Sequence, residues 1–169
     1  MTKKTPRQAA GSHETRLEIE IHASQRRVWD ALVNEATHWW PKTFYSSERT
    51  KKFVIEPRLG GRVGEDYGGG EGFNWYVVNG VESPNFLLLV GHMGPPFGGP
   101  FCSLLRLELA AAGDQQTKLT ITDAVFGQVD GCDNASGWRQ IFDEGFRPYV
   151  ESAPKKRGRG KPKPNGLNR

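Results

Sequence analysis

Hydrophobic and polar residues alternate from Thr15 to His22, where Leu17, Ile19 and Ile21 are spaced by Arg16, Glu18, Glu20 and His22. A period of two puts one set of side chains in a core and the other in water, which predicts a half-buried β-strand. The period changes after Ser24. Its hydroxyl can accept from an orphan amide of a first helical turn. Val28, Trp29, Leu32 and Val33 then recur at helical spacing. A second short turn carries Ala36, Trp39 and Trp40. It ends at Pro41, because proline disfavours the helical conformation in the residue before it.

The pattern then returns to strands. Phe53 and Ile55 predict one that ends near Pro57, and Gly60-Gly61 turns the chain into a strand over 62–67. Gly68 to Gly72 makes the next turn, and 73–81 and 86–92 read as strands joined by Ser83-Pro84-Asn85. The segment Gly94 to Pro100 is too rich in proline and glycine for regular structure. Strands over 102–110 and 117–125 follow, hinged at Gly113-Asp114. After a loop, Trp138, Ile141, Phe142, Gly145 and Tyr149 form one helical face, with Pro148 expected to kink or shorten the last turns. One strand, two helices, six strands joined by hairpins and a final helix predict an α+β fold, an antiparallel sheet with its helices on one side.

Alternation also assigns faces. Leu105, Leu107 and Leu109 point inward opposite Arg106 and Glu108; Leu119, Ile121, Asp123 and Val125 point inward opposite Lys118, Thr120 and Thr122. Val63 carries Glu65 and Tyr67 inward with it. Phe73, Trp75 and Val77 share one face, and Phe86, Leu88, Val90 and His92 share another. An inward carboxylate needs partners or a shifted pKa, which singles out Glu65 and Asp123. The run from Phe86 to Val90 has no charge on either face, and a homodimer contact is one explanation.

Charge changes the picture at the ends only. Of a net +4, residues 155–169 supply seven basic side chains and no acid, and residues 1–14 hold Lys3, Lys4 and Arg7 against Glu14. The body between is therefore acidic and makes no electrostatic claim on nucleic acid. A basic head (1–14) and tail (154–169), both expected to be disordered, flank one domain over 15–153. The tail Lys155-Lys156-Arg157-Gly158-Arg159-Gly160-Lys161-Pro162 is similar to an AT-hook, with Gly160 where proline is expected, and is limited to weak nonspecific nucleic-acid contact.

Several chemistries drop out. No apolar run reaches the roughly 20 residues of a membrane span, and no secretory signal is evident, so a cytoplasmic protein is expected. Cys102 and Cys132 cannot form a disulfide framework, and His13, His22, His38 and His92 are scattered, so no metal and no cofactor is assigned. The acidic stretch Asp130-Gly131-Cys132-Asp133-Asn134 lacks the calcium-loop pattern. Gly68-Gly69-Gly70-Glu71-Gly72 is a hairpin turn, since it lacks the Gly-Lys-Ser/Thr ending of a phosphate loop. No catalytic residue is assigned.

An ordered series of fragments goes further: Val28-Trp29-Asp30-Ala31-Leu32, Trp39-Trp40-Pro41, Glu56-Pro57-Arg58-Leu59-Gly60-Gly61-Arg62 and Gly137-Trp138. Together they resemble the START and birch-pollen-allergen (SRPBCC) superfamily. The nearest branch is that of the activator of the heat-shock-protein ATPase, neighbouring the polyketide cyclases. The resemblance implies a helix-grip fold, a curved sheet around a long C-terminal helix with an apolar cavity between them. Its walls would be Trp39, Trp40, Phe44, Tyr67, Trp75, Phe101, Trp138 and Phe142, with Glu65, His92 and Asp123 as its polar groups. The function so implied is binding of a small hydrophobic or amphipathic molecule. A co-chaperone-like module that contacts a protein partner through the loop around Phe97 is the second reading. A cyclase or hydrolase using Asp123, Glu65 or His92 is the third.

Overall fold

The computed structural model describes residues 10–129 and 134–152. Seven strands form one curved antiparallel sheet: β1 (Gly11–Ile21), β2 (Lys52–Ile55), β3 (Arg62–Gly68), β4 (Glu71–Glu82), β5 (Phe86–Met93), β6 (Phe101–Gly113) and β7 (Gln116–Gly127). Their spatial order is β1-β7-β6-β5-β4-β3-β2. Strands β2 to β7 are a run of hairpins, and the chain reaches β2 from β1 through α1 (Gln25–Asn34) and α2 (Ala36–Trp39). The fold is α+β and matches the helix-grip architecture.

Strand β1 starts at Gly11, so residues 11–14, expected in the head, instead pair with β7 from Gly11 opposite Gly127 onward. The backbone ladder continues there although the alternation of apolar side chains has stopped. The remaining head residues to 9, the acidic stretch at 130–133 with Cys132, and the tail lie outside the described residues. Cys102 carries no disulfide. Among the described residues no helix is long and apolar enough to cross a membrane.

Local chemistry builds the helices as expected. The Ser24 hydroxyl caps α1 by accepting from Arg27 N at 3.4 Å. Val28, Trp29, Ala31, Leu32 and Val33 are buried. Trp39 Nε1 donates to Ala31 O at 3.0 Å, locking α2 against α1. Between Gly94 and Pro100 the chain makes one 3-10 turn, Pro95–Phe97.

The C-terminal helix runs through α3 (Asn134–Trp138), a π-wound stretch (Arg139–Phe146) and α4 (Arg147–Ser152). Pro148 does not end it. The wider winding, in which Arg147 N donates to Phe142 O, spreads the carbonyls that the proline ring would otherwise strike. The core lies between this helix, α1 and the concave face of the sheet, where Leu87, Leu89, Leu105, Leu107, Leu119 and Ile121 are buried. Each such side chain contributes about 1.5–3 kcal/mol by leaving water, before entropy is counted. The opposite face of the sheet exposes Val77, Leu104 and Phe126.

A tryptophan-walled candidate ligand site

A cavity of about 310 Å3 lies between the sheet and the C-terminal helix. Several elements supply its walls. Trp40 and Phe44 come from the segment after α2, Trp75, Tyr76, Met93, Phe101 and Ser103 from β4 to β6, and Asn134, Gly137, Trp138 and Ile141 from the helix. Asp123 on β7 forms the polar floor, and Phe97 stands at the mouth, 37% exposed. Phe97 packs on Phe73 at 4.9 Å and on Trp75 at 5.1 Å between ring centroids.

The sheet presents Trp75 and Tyr76 together because β4 is irregular there. Val63 pairs with Tyr76 while its neighbour Gly64 pairs with Asn74, which leaves Trp75 as an extra, bulged residue. A bulge breaks the alternation and re-aims side chains. Phe73 and Trp75 therefore share the mouth, Tyr76 and Val78 turn inward, and Val77 faces out at 41% exposure. The expectation that Val77 shares the face of Trp75 is thus corrected. Glycines on both neighbouring strands make room. A Cβ on Gly64 would lie 2.2 Å from Phe73 O, and one on Gly91 would lie 2.8 Å from the Tyr76 ring.

Over Gly91 the Tyr76 ring reaches β6. Its hydroxyl lies 3.2 Å from Ser103 Oγ, and Ser103 donates to Asp123 Oδ1 at 2.5 Å. Asp123 Oδ2 accepts from Asn134 Nδ2 and from Trp138 Nε1, both at 2.9 Å. This carboxylate, 1% exposed, thereby pins the helix to the sheet. Burial, and next the charge of Asp123, push the Tyr76 phenol far above its ordinary pKa.

Glu65, also 1% exposed, repeats the device at the mouth. It accepts from Trp75 Nε1 and from Ser46 N, each at 2.8 Å, and from the Thr50 hydroxyl. Each buried acid thus holds the indole N–H of a tryptophan that lines the cavity. That disposes of the cost of an unpaired buried charge and fixes the aromatic walls.

Of the residues expected from sequence, Trp40, Phe44, Trp75, Phe101, Asp123 and Trp138 line the cavity. Trp39 and Phe142 lie behind it, in a packed aromatic file with ring centroids 5.9 Å apart. Glu65 acts through Trp75 without lining the cavity. Tyr67 sits apart, its hydroxyl 2.7 Å from Ser46 Oγ and its ring under the Arg49 guanidinium. His92 is not in the site: it is exposed on β5, where Leu87, Leu89 and Met93 take the inward positions. Trp40 stacks on Phe53 at 3.9 Å, and its indole N–H is buried with no hydrogen-bond partner among the described residues.

Sequence reasoning missed Tyr76, Met93, Ser103, Asn134, Gly137 and Ile141 as lining residues, and read Phe97 as part of a docking loop. Ser103 was readable, since it has the parity of the inward Leu105. Tyr76 was not, because the bulge moves it.

A curved seven-stranded antiparallel sheet closed by a C-terminal helix over an apolar cavity defines the helix-grip class of fold. The solved structures agree. An uncharacterized protein from Rhizobium leguminosarum matches with a TM-score of 0.60 at 18% identity, over 86% of this chain and 100% of its own. Norcoclaurine synthase from Thalictrum flavum, a point mutant bound to a transition-state analogue, matches with a TM-score of 0.56 at 12% identity, over 85% and 97%. A protein of the dynemicin biosynthetic locus matches with a TM-score of 0.56 at 20% identity over 82% of this chain, which spans 47% of that one. No family model matches the chain, and no curated protein matches it in sequence. At these identities the likeness is one of fold.

Proposed function

We propose that the protein binds one small hydrophobic or amphipathic molecule in the cavity between the sheet and the C-terminal helix. The observation that carries this reading is the pairing of each buried acid with a cavity-lining tryptophan. Glu65 and Asp123 spend their oxygens on holding Trp75 and Trp138 in place, as a site that must keep its walls open requires. Phe97, 37% exposed, packs on the aromatic mouth of the same cavity.

Native mass spectrometry of gently purified protein, full-length and cut after Pro154, tests the reading. A small-molecule adduct of constant mass is expected on both forms. Gly137→Leu supplies the control. A Cβ there meets only Phe44 Cε1, at 3.7 Å, so the new side chain grows into the cavity. It also replaces glycine inside a helix, which favours folding by about 0.5–1 kcal/mol. The variant should melt no lower than the parent and carry no adduct. A persistent adduct in this variant would place the ligand elsewhere.

An enzymatic reading has one observation in its favour, the hydrogen-bonded file Tyr76–Ser103–Asp123 that reaches the cavity. Norcoclaurine synthase, which shares the fold, shows that such a scaffold carries synthase chemistry in another protein. Turnover of the captured molecule that Asp123→Asn abolishes, with binding retained, would establish it.

A further inference from the structure

The polar end of the cavity has a fixed direction of hydrogen bonding. A serine hydroxyl carries one hydrogen, and Ser103 gives it to Asp123 Oδ1. The contact between Ser103 Oγ and the Tyr76 hydroxyl therefore has Tyr76 as its donor. A phenol also carries one hydrogen. What Tyr76 can still offer a neighbour is lone pairs alone. Asp123 acts as an acceptor throughout, taking Asn134 and Trp138 on its second oxygen. The hydrogens of Tyr76 and Ser103 are thus both directed toward Asp123, while the Asn134 amide keeps a second hydrogen. The raised pKa of Tyr76 keeps its hydrogen in place across the neutral range.

We propose that the Tyr76 hydroxyl selects ligands whose polar group is a hydrogen-bond donor, a hydroxyl or an amine on an apolar ring system, over ligands that bring only an acceptor or a carboxylate to that point of the cavity. The inference rests on the ligand-binding reading above and adds the polarity of the ligand to it. A donor meets the spare lone pairs of Tyr76. An ether or carbonyl oxygen meets them with lone pairs of its own, and a carboxylate also meets the field of Asp123 at close range in an apolar surrounding. The volume sets the scale of the ring system. About 310 Å3 is roughly twice the ~150 Å3 that accommodates a benzene ring, so a fused bicycle fits.

Isothermal titration calorimetry with naphthalene, naphthol, methoxynaphthalene and naphthoate, all substituted at the same ring position, tests this. Naphthol is expected to bind about tenfold tighter than methoxynaphthalene, the worth of one neutral hydrogen bond, and naphthoate the weakest. Tyr76→Phe should erase the preference for naphthol. Ser103→Ala supplies a second route, because it releases the hydrogen of Tyr76: methoxynaphthalene should then gain affinity, whereas a merely structural role for Ser103 would weaken every probe alike. Equal or tighter wild-type binding of methoxynaphthalene or naphthoate overturns the proposal, as does a naphthol preference that survives Tyr76→Phe. If all the probes bind alike, only this inference falls. If none binds, the ligand-binding reading falls with it.

Discussion

Glu65 shows how much one buried side chain organises. Its two oxygens receive a backbone amide, a threonine hydroxyl and an indole N–H. Leucine at this position would remove both acceptors and leave the Trp75 indole and the Ser46 amide unpaired. Glu65→Leu should lower unfolding free energy by about 2–3 kcal/mol in urea titration. A loss near zero would mean that the carboxylate is not the anchor of Trp75. Both inward acids were legible in the sequence, because an inward Val63 or Ile121 fixes the parity of Glu65 or Asp123 two residues on. What the alternation left open was their partners, since Trp75 and Trp138 are reached across strands and from the helix.

Single elements explain where the sequence reading stopped. In β6 and β7 polar residues such as Arg106, Glu108, Lys118 and Thr122 alternate with apolar ones, and the residues read as inward are buried. In β5 the run Phe86 to Val90 is apolar at every position, so nothing in it distinguishes inside from outside, and His92 takes the exposed parity while Met93 points inward. In β4 the extra residue at Trp75 shifts the strand by one until a second irregularity at Asn79 shifts it back. The bulge has a signature only in its neighbours, Gly64 and Gly91, both of which lie against it too closely for a Cβ. Gly64→Ala should therefore cost about 2 kcal/mol or more, as overpacking does, because the added carbon meets backbone that cannot swing aside. It should also weaken ligand binding by moving Tyr76. A Gly64→Ala protein with wild-type stability would show that the bulge can slide.

At the scale of the whole molecule the two ends of the described chain are tied together. Arg27 on α1 donates through both terminal nitrogens to Glu35, at 2.8 and 3.0 Å, and Tyr149 on α4 donates to the same carboxylate at 2.7 Å. His22 N donates to Glu151 at 2.8 Å. The Arg27 guanidinium, and after it the Tyr149 hydroxyl, hold the Glu35 carboxyl below its ordinary value of 4.5. The folded state then keeps this charge at a pH where the unfolded chain has already taken up a proton. The stabilisation is complete above the unfolded value and drains away as pH falls through the folded one. Melting temperature should fall between neutral pH and about pH 3, and Glu35→Gln should flatten part of that fall. Glu56, depressed mainly by its bond from Arg62, contributes the same sign and leaves a residual slope. An acid limb identical in parent and Glu35→Gln would remove the tie from the account of stability.

The tryptophans have an optical consequence. The chain carries five of them, and Trp40, Trp75 and Trp138 all line the cavity. Trp75 and Trp138 each donate an indole proton to a carboxylate that acts as a fixed local field. A guest that displaces solvent beside these rings changes the polarity their excited states experience, while the carboxylates keep the rings from rotating away. The emission spectrum of the protein is therefore an intrinsic gauge of cavity occupancy, readable without a label.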